Sequence, residues 1–245
     1  MIRFEHVSKQ YGKGGTKAVD DLSLHIEKGR LFGFIGPNGA GKTTTIGLMT
    51  GILAPTEGTV TIGGYDMAKH PIEAKRLLGY VPDEHDMYDR LTGIEYLRFM
   101  ADLFSVPASV RKERMEHYLE LFELKDAIGQ QVKGYSRGMK QKLTVIGALI
   151  HQPPIWVLDE PMVGLDPRAS HILKEEMRRH CEAGNTVFFS THVLEVAERL
   201  CDEIAIIDHG RLVAQGTLEE LRAGHTGESL EQLFLTLTDD AEEAK

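Results

Sequence analysis

The chain has 245 residues, a net charge of −9, 42% hydrophobic residues and 27% charged residues, a composition that suits one large globular domain. The negative charge argues against a general nucleic-acid-binding surface, and no run of about 18 apolar residues is present that would span a bilayer. The two cysteines, Cys181 and Cys201, have neither metal-ligand spacing nor a disulfide pattern, which predicts a reducing compartment.

Short apolar runs along the chain predict the strands of an α/β fold with a mostly parallel sheet. The first two runs flank a Gly-rich loop and predict a small antiparallel sheet at the N-terminus. Four later runs are continuously apolar, as buried parallel strands are. The sequence Asp208-His209-Gly210 then predicts a turn into a hairpin strand at Arg211–Gln215. The six runs are Ile2–Val7, Ala18–Ile26, Leu31–Ile35, Ile155–Leu158, Thr186–Phe189 and Ile204–Ile207.

Helical periodicity replaces the strand pattern between about Thr92 and Ile150, which predicts a helical subdomain inserted into the α/β body. Apolar residues such as Leu143 and Ile146 recur there at helical spacing. Near the C-terminus, Ser229–Leu235 predicts a short amphipathic helix that packs on the body. The acidic residues 239–243 predict a frayed, solvated tail.

A Gly-rich loop follows the predicted strand that ends at Ile35 and precedes a helix predicted to start near Gly41. Its glycines let successive backbone N–H groups point at an anion, and the helix adds its positive N-terminal end. Lys42 supplies a charge for the β- and γ-phosphates, and the Thr43 hydroxyl is suited to Mg²⁺. The loop therefore predicts nucleotide binding, and Thr44 is also predicted to contact the nucleotide. The loop reads Gly36-Pro37-Asn38-Gly39-Ala40-Gly41-Lys42-Thr43.

Two adjacent carboxylates, Asp159 and Glu160, follow the apolar run Ile155–Leu158. A carboxylate at the C-terminal end of a buried strand, beside a phosphate-binding loop, is typical of a Mg²⁺ site. We therefore predict that Asp159 faces the metal and that Glu160 acts as the general base on the attacking water.

From these motifs onward, the sequence resembles the ABC ATPases over nearly its whole length, about residues 2 to 223. Tyr11 stands 25 residues before Gly36, where the resemblance implies an aromatic ring that stacks on adenine. An ordinary core tyrosine is the alternative for this residue. The stretch Tyr135-Ser136-Arg137-Gly138-Met139 is similar to the family's signature sequence. By this resemblance, Ser136 and Gly138 contact the γ-phosphate of ATP held by the opposite subunit.

The signature stretch differs from the usual family form in having Arg137 where a glycine is usual and Met139 where a Gln is usual. It is similar to a variant of ATPases that serve drug, antibiotic and polysaccharide exporters. Gly164-Leu165-Asp166 resembles the family's D-loop, which crosses the dimer interface, and this implies that Asp166 is near nucleotide. His192, after the strand Thr186–Phe189, resembles the switch histidine that reaches the γ-phosphate and positions the water.

Asp83, in Tyr80-Val81-Pro82-Asp83, stands where the family usually has a Gln that ligates Mg²⁺ and senses the permease. Aspartate is shorter than Gln and charged. By resemblance, Asp83 is a predicted metal ligand, and direct contact, contact through water and no contact at all remain open. The following residues lead into the helical subdomain, which in the family docks the permease.

The resemblance implies an ATP-hydrolysing motor subunit of an ABC transporter, an exporter by its signature variant, with ATP and Mg²⁺ as cofactors. Two such subunits, as a homodimer or a pair of different ATPases, would enclose two ATP molecules and drive a separate membrane permease. No secretory signal is recognisable in the first residues, so we expect a cytoplasmic protein, peripheral on the cytoplasmic face of the membrane. The expected division is an ATPase domain over 1–223, with the helical subdomain at about 92–150, and a C-terminal helix and acidic tail over 224–245.

Two other classes of protein are alternatives to a transporter subunit. A soluble ABC protein without a permease, such as a translation factor, resembles two fused ATPase domains, and 245 residues hold only one. A regulator that binds ATP without hydrolysing it is disfavoured by the intact pair Asp159-Glu160. The sequence does not identify the cargo, because specificity lies in the permease.

Overall fold

The computed structural model describes residues 1–12, 14–84, 88–223 and 229–243, with the side chains from residue 237 onward excluded. Its helices and strands alternate through most of the chain, as the sequence predicts. The strands are β1 (Ile2–Gln10), β2 (Lys17–Ile26), β3 (Leu31–Ile35), β4 (Glu57–Ile62), β5 (Tyr65–Asp66), β6 (Leu78–Val81), β7 (Ile155–Leu158), β8 (Thr186–Thr191), β9 (Glu203–Asp208) and β10 (Arg211–Gly216). The helices are α1 (Lys42–Met49), α2 (Pro71–Arg76), α3 (Gly93–Leu103), α4 (Ala108–Leu121), α5 (Arg137–Leu149), α6 (Pro167–Glu182), α7 (Leu194–Leu200), α8 (Leu218–Leu221) and α9 (Leu230–Glu243).

The main sheet has the strand order β10-β9-β3-β8-β7-β6, and every neighbouring pair is parallel except β9 with β10. Parallel strands bring their carboxyl ends to the same edge of the sheet. The residues that follow β3, β8, β7 and β6 therefore lie side by side at that edge. These residues are the Gly-rich loop, His192, the pair Asp159-Glu160, and Asp83.

The predicted antiparallel sheet is confirmed, and it has four strands in the order β2-β1-β4-β5. The sequence prediction missed β4, β5, β6 and helix α2. In β4, Gly58 has a φ of 82°, and a Cβ there would lie 2.2 Å from the carbonyl oxygen of His6. The register between β1 and β4 shifts at this point. This irregularity interrupts the alternation of apolar and polar residues on which recognition of a strand depends.

The predicted helical region between Thr92 and Ile150 contains α3, α4 and α5. Thr92 caps α3, because its hydroxyl accepts a hydrogen bond from the Glu95 N–H while the Glu95 carboxylate accepts one from the Thr92 N–H. Leu143 and Ile146 of α5 are fully buried in a cluster that also contains Trp156 of β7. The helices and the main sheet therefore share one continuous core.

The predicted C-terminal helix corresponds to α9, which begins at Leu230. Leu230 and Leu233 are buried against Ile204 and Ile206 of β9, so the helix packs on the body. The prediction of a frayed tail at residues 239–243 is wrong for the backbone, since α9 continues to Glu243. Ala and Glu are good helix formers and allow the helix to extend through this acidic stretch. Residues 224–228 lie outside the described residues, and the domain boundary at residue 223 stays a prediction.

Candidate nucleotide site

The Gly-rich loop joins β3 to α1 at the carboxyl edge of the main sheet. A Cβ on Gly36 would lie 2.3 Å from the Ile207 carbonyl oxygen, and one on Gly41 would lie 2.5 Å from the Ala18 carbonyl oxygen. Gly41 also has a φ of 107°, a conformation that L side chains rarely adopt. It precedes α1 and provides no side-chain cap. The first backbone N–H groups of α1 therefore form an anion-binding position.

The Lys42 side chain lies inside this loop and is only 7% exposed. Its ammonium group donates hydrogen bonds to the carbonyl oxygens of Gly36 (2.8 Å) and Pro37 (3.2 Å). It also lies 3.6 Å from Glu160 Oε1. The loop thus holds a positive charge next to the carboxylate that the sequence assigns as the general base.

Asp159, at the end of β7, is 1% exposed. Its Oδ1 accepts a hydrogen bond of 2.5 Å from the Ser190 hydroxyl. Burial raises the pKa of Asp159 above its usual range. The neighbouring Ser190 and Thr43 hydroxyls offset part of that rise, and the negative charges of Asp83 and Glu160 add to it. Its Oδ2 is buried and has no hydrogen-bond partner among the described residues. A buried, unpartnered carboxylate oxygen beside a hydroxyl fits a hard cation such as Mg²⁺.

Glu160 follows directly and has a φ of 45°, an uncommon conformation for a residue other than glycine. Its backbone N–H donates to the Ser190 hydroxyl oxygen at 3.1 Å. Its side chain is 13% exposed and has Oε2 3.0 Å from His192 Nδ1, while Lys42 approaches the other oxygen. The structure therefore brings Lys42, Glu160 and His192 together, three residues far apart in the sequence.

Ser190 is a residue whose role the sequence analysis missed. It is fully buried in β8, and its hydroxyl contacts both the Asp159 carboxylate and the Glu160 backbone. The available signal was a polar side chain at the end of an apolar strand, two residues before His192. Such a hydroxyl must find partners when buried.

Tyr11 lies beside the start of α1, with its hydroxyl 3.4 Å from the Thr44 hydroxyl. The Lys9 ammonium lies 5.5 Å from the centre of the Tyr11 ring. Tyr11 is 52% exposed, which excludes the alternative of an ordinary core tyrosine. Its ring therefore offers an exposed stacking surface next to the phosphate-binding loop.

The predicted signature residues begin α5. Ser136 caps this helix by accepting a hydrogen bond from the Met139 N–H at 3.3 Å. A Cβ on Gly138 would lie 2.9 Å from the Gly164 carbonyl oxygen, so the signature turn packs on the predicted D-loop of the same chain. Within the described residues, neither Ser136 nor Gly138 hydrogen bonds to the phosphate-binding loop.

Asp166 caps α6 by accepting a hydrogen bond of 2.8 Å from the Ala169 N–H, which lowers the pKa of Asp166. Its other oxygen is 3.7 Å from the Lys142 ammonium in α5. Asp83 follows β6 and has Oδ1 3.5 Å from the Arg137 guanidinium. The negative charges of Asp83 and Asp159 interact, since Asp83 helps to raise the pKa of Asp159. Asp83 therefore lies at the edge of the candidate metal position, in contact with the signature turn.

Known proteins that resemble this chain are ATP-binding proteins of ABC transporters. The family described as "ABC transporter" matches residues 19–163. The chain is 37% identical over 239 residues to the ABC transporter ATP-binding protein NatA of Bacillus subtilis, which covers 96% of this chain and 97% of that protein. It is 38% identical over 221 residues to the Nod factor export ATP-binding protein I of Ralstonia nicotianae, over 90% of this chain and 68% of that protein. A solved structure of an ATP-binding subunit of an ABC transporter has a TM-score of 0.93 and 34% identity, over 97% of this chain and 99% of that one.

Proposed function

This chain belongs to the ABC transporter family, and we propose that it is the ATP-hydrolysing motor of an exporter whose membrane-spanning part is a separate protein. The observation that carries the proposal is the position of Glu160, between Lys42 and His192 and directly after Asp159. The direction of transport is supported by relatives that include a Nod factor export protein. It is also supported by the signature variant at Ser136–Met139.

Glu160 is proposed as the general base that accepts a proton from the attacking water. Its Oε2 faces His192, which would orient the water and hold the carboxylate, and Lys42 stabilises the negative charge of Glu160 before nucleotide binds. Ser190 fixes the backbone of Glu160 in its unusual conformation. A positioned general base contributes about 10²–10⁴ to a rate.

ATP is proposed to bind at the loop Gly36–Gly41, with Lys42 on its phosphates and Tyr11 against its adenine ring. The uncapped start of α1 and the restricted glycines support the phosphate contacts. The exposed Tyr11 ring beside Thr44 supports the base contact.

Mg²⁺ fits the residues next to this loop. We propose that Thr43 and Asp159 hold it, since Asp159 Oδ2 is buried and has no hydrogen-bond partner in the described part of the chain. When bound, the ion neutralises charge on the phosphate oxygens. Asp83 is close enough to influence the ion electrostatically, although its carboxylate also pairs with Arg137.

Ser136, Gly138 and Asp166 are proposed to contact ATP held by a second ATPase subunit, either another copy or a related chain. Ser136 and Asp166 are exposed, and both lie at helix N-termini, which favour anionic ligands. Closure of two subunits around two ATP molecules would complete each site with residues from both chains.

An exposed apolar surface on the helical subdomain supports docking of a permease. Tyr88 and Leu103 are 60% and 61% exposed, and the Tyr88 ring meets Phe99 edge-on with 5.6 Å between ring centres. Exposed aromatic side chains of this kind are typical of protein interfaces. In the described part of the chain, no helix has the length and apolar character needed to cross a membrane. We propose that a multi-span membrane protein docks here, on the cytoplasmic face of the membrane.

Substitution Glu160→Gln tests the proposal. It should leave ATP binding intact, reduce turnover about 10²–10⁴-fold, and let dimers accumulate with ATP and Mg²⁺, because closure remains possible while hydrolysis does not. Glu84→Gln is the matched control, since Glu84 is an exposed glutamate just after Asp83. Turnover in Glu160→Gln equal to that of the control would contradict the assignment. Copurification with a multi-span membrane protein separates a transporter subunit from an ABC protein that works without a permease.

A further inference from the structure

Two charged side chains from different parts of the chain meet beside the nucleotide site. Asp83 follows β6 and Arg137 is the first residue of α5, 54 positions later, with 3.5 Å between Asp83 Oδ1 and the Arg137 guanidinium. The two side chains are 42% and 60% exposed. This pair joins the end of β6 to the signature turn.

A second ion pair joins the same two regions. Asp89, on the far side of residues 85–87, which lie outside the described part of the chain, has its carboxylate 2.9 Å from the Lys140 ammonium. Arg137 and Lys140 are three residues apart and therefore lie on one face of α5. Asp83 and Asp89, which flank residues 85–87, thus pair with Arg137 and Lys140 on one face of α5.

The first turn of α5 is also packed against the loop that carries the catalytic carboxylate. A Cβ on Gly164 would lie 3.0 Å from Arg137 Cδ, so the Arg137 stem runs along the D-loop. Gln141 donates a buried hydrogen bond of 3.0 Å to the Pro161 carbonyl oxygen, directly after Glu160. Arg137, which is part of the signature turn, therefore contacts both the D-loop and Asp83.

We propose that Arg137 is a positioning residue whose ion pair with Asp83 holds the signature turn at Ser136–Gly138 in the orientation needed for closure on a partner subunit. The inference rests on the proposed function. The pair has a second consequence. Without Arg137, Asp83 would present an unpaired negative charge beside Asp159, where the phosphates must bind. Pairing neutralises that charge and withholds the Asp83 carboxylate from the metal.

A double-mutant cycle tests the pair by light scattering, with ATP-driven dimer formation measured in a Glu160→Gln background. The single substitutions are Arg137→Gln and Asp83→Asn, and the double variant contains both. Arg137→Gln should raise the ATP concentration for half-maximal dimer formation about two- to fivefold, the range expected for a partly exposed ion pair. The double variant should need no more ATP than the more affected single variant, because the ion pair is already lost in each single variant. Lys133→Gln, which removes an exposed positive charge three residues before Ser136, should behave as the reference.

Magnesium dependence separates positioning from a purely structural role. At saturating ATP, Arg137→Gln should form dimers at a Mg²⁺ concentration about two- to fivefold lower than the reference needs, because Asp83 is released toward the ion. This shift should disappear in the double variant. Melting temperatures of all variants check that the fold is intact.

If the effects of the two substitutions simply multiply, or if Arg137→Gln leaves the Mg²⁺ requirement unchanged, Arg137 does not act through Asp83 and the inference is wrong. If the Glu160→Gln reference does not form dimers with ATP, the proposed function fails, and the inference falls with it. A reference that forms dimers, combined with multiplying effects, refutes the inference alone.

Discussion

Removal of the Ser190 hydroxyl tests how the site is held together. In Ser190→Ala, Asp159 loses a 2.5 Å hydrogen bond to Oδ1, and the Glu160 N–H loses its 3.1 Å acceptor. Asp159 is 1% exposed and its Oδ2 already lacks a partner in the described part of the chain, so water does not readily replace the lost bond. The substitution therefore acts on the proposed metal-site carboxylate and on the strained backbone of the proposed general base together.

The expected loss of stability follows from these two bonds. A hydrogen bond to a charged group contributes about 1.5–3 kcal/mol and a neutral one about 0.5–1.5 kcal/mol, which together predict a loss of about 2–4.5 kcal/mol. For a chain of this size, that loss corresponds to a decrease in Tm of about 4–18 °C. Turnover should fall about 10–100-fold, since a small displacement of Glu160 from the attacking water is sufficient for such a loss.

The assay combines thermal unfolding with ATPase turnover in the absence of permease. Thr50→Val is the control, because Thr50 is also buried and its hydroxyl donates only to backbone oxygens of α1, at 2.9 and 3.4 Å. It should lower Tm by about 2–4 °C and leave turnover unchanged. If Ser190→Ala lowers Tm no more than Thr50→Val does and retains normal turnover, the argument that Ser190 fixes both carboxylates is refuted.

Three further predictions concern separate parts of the molecule. Lys42→Ala should weaken MgATP binding about 10–100-fold, because a charged hydrogen-bond donor to the phosphates is lost, and undiminished affinity in a nucleotide titration would contradict the placement of the loop. Ser136→Arg should retain nucleotide affinity yet block dimer formation in a Glu160→Gln background, and normal dimers by light scattering would show that Ser136 does not face a partner. Burial lowers the pKa of His151, which stacks on Phe104, to about 4, so the folded protein keeps this ring neutral while the unfolded chain takes up a proton below about pH 6.5. The free energy of unfolding should therefore be highest above pH 6.5 and fall between about pH 6.5 and 4. His151→Gln should reduce the slope of this fall by at most about 1.4 kcal/mol per pH unit. Equal slopes for the two proteins in urea unfolding would refute this.

The features that could be predicted are those specified by residues adjacent along the chain. The Gly-rich loop was recognisable because its glycines, Lys42 and Thr43 stand at fixed spacing between an apolar strand and a helix. Asp159 and Glu160 were recognisable as candidates because they directly follow the four apolar residues of β7. The hairpin at Asp208-His209-Gly210 was also predicted correctly, because a turn depends on adjacent residues. His209 and Gly210 both adopt the positive φ that the turn requires.

Which of these features come into contact depends on the order of the strands in the folded sheet. Parallel strands pair across long stretches of chain, so their order cannot be read from any one of them. That order places β8 between β3 and β7, and with it Ser190 against Asp159 and His192 against Glu160. It also makes β6 the edge strand, which brings Asp83 to Arg137. The sequence contains both of these charges, but an ion pair depends on a distance, and that distance is set by the packing of α5 on the sheet.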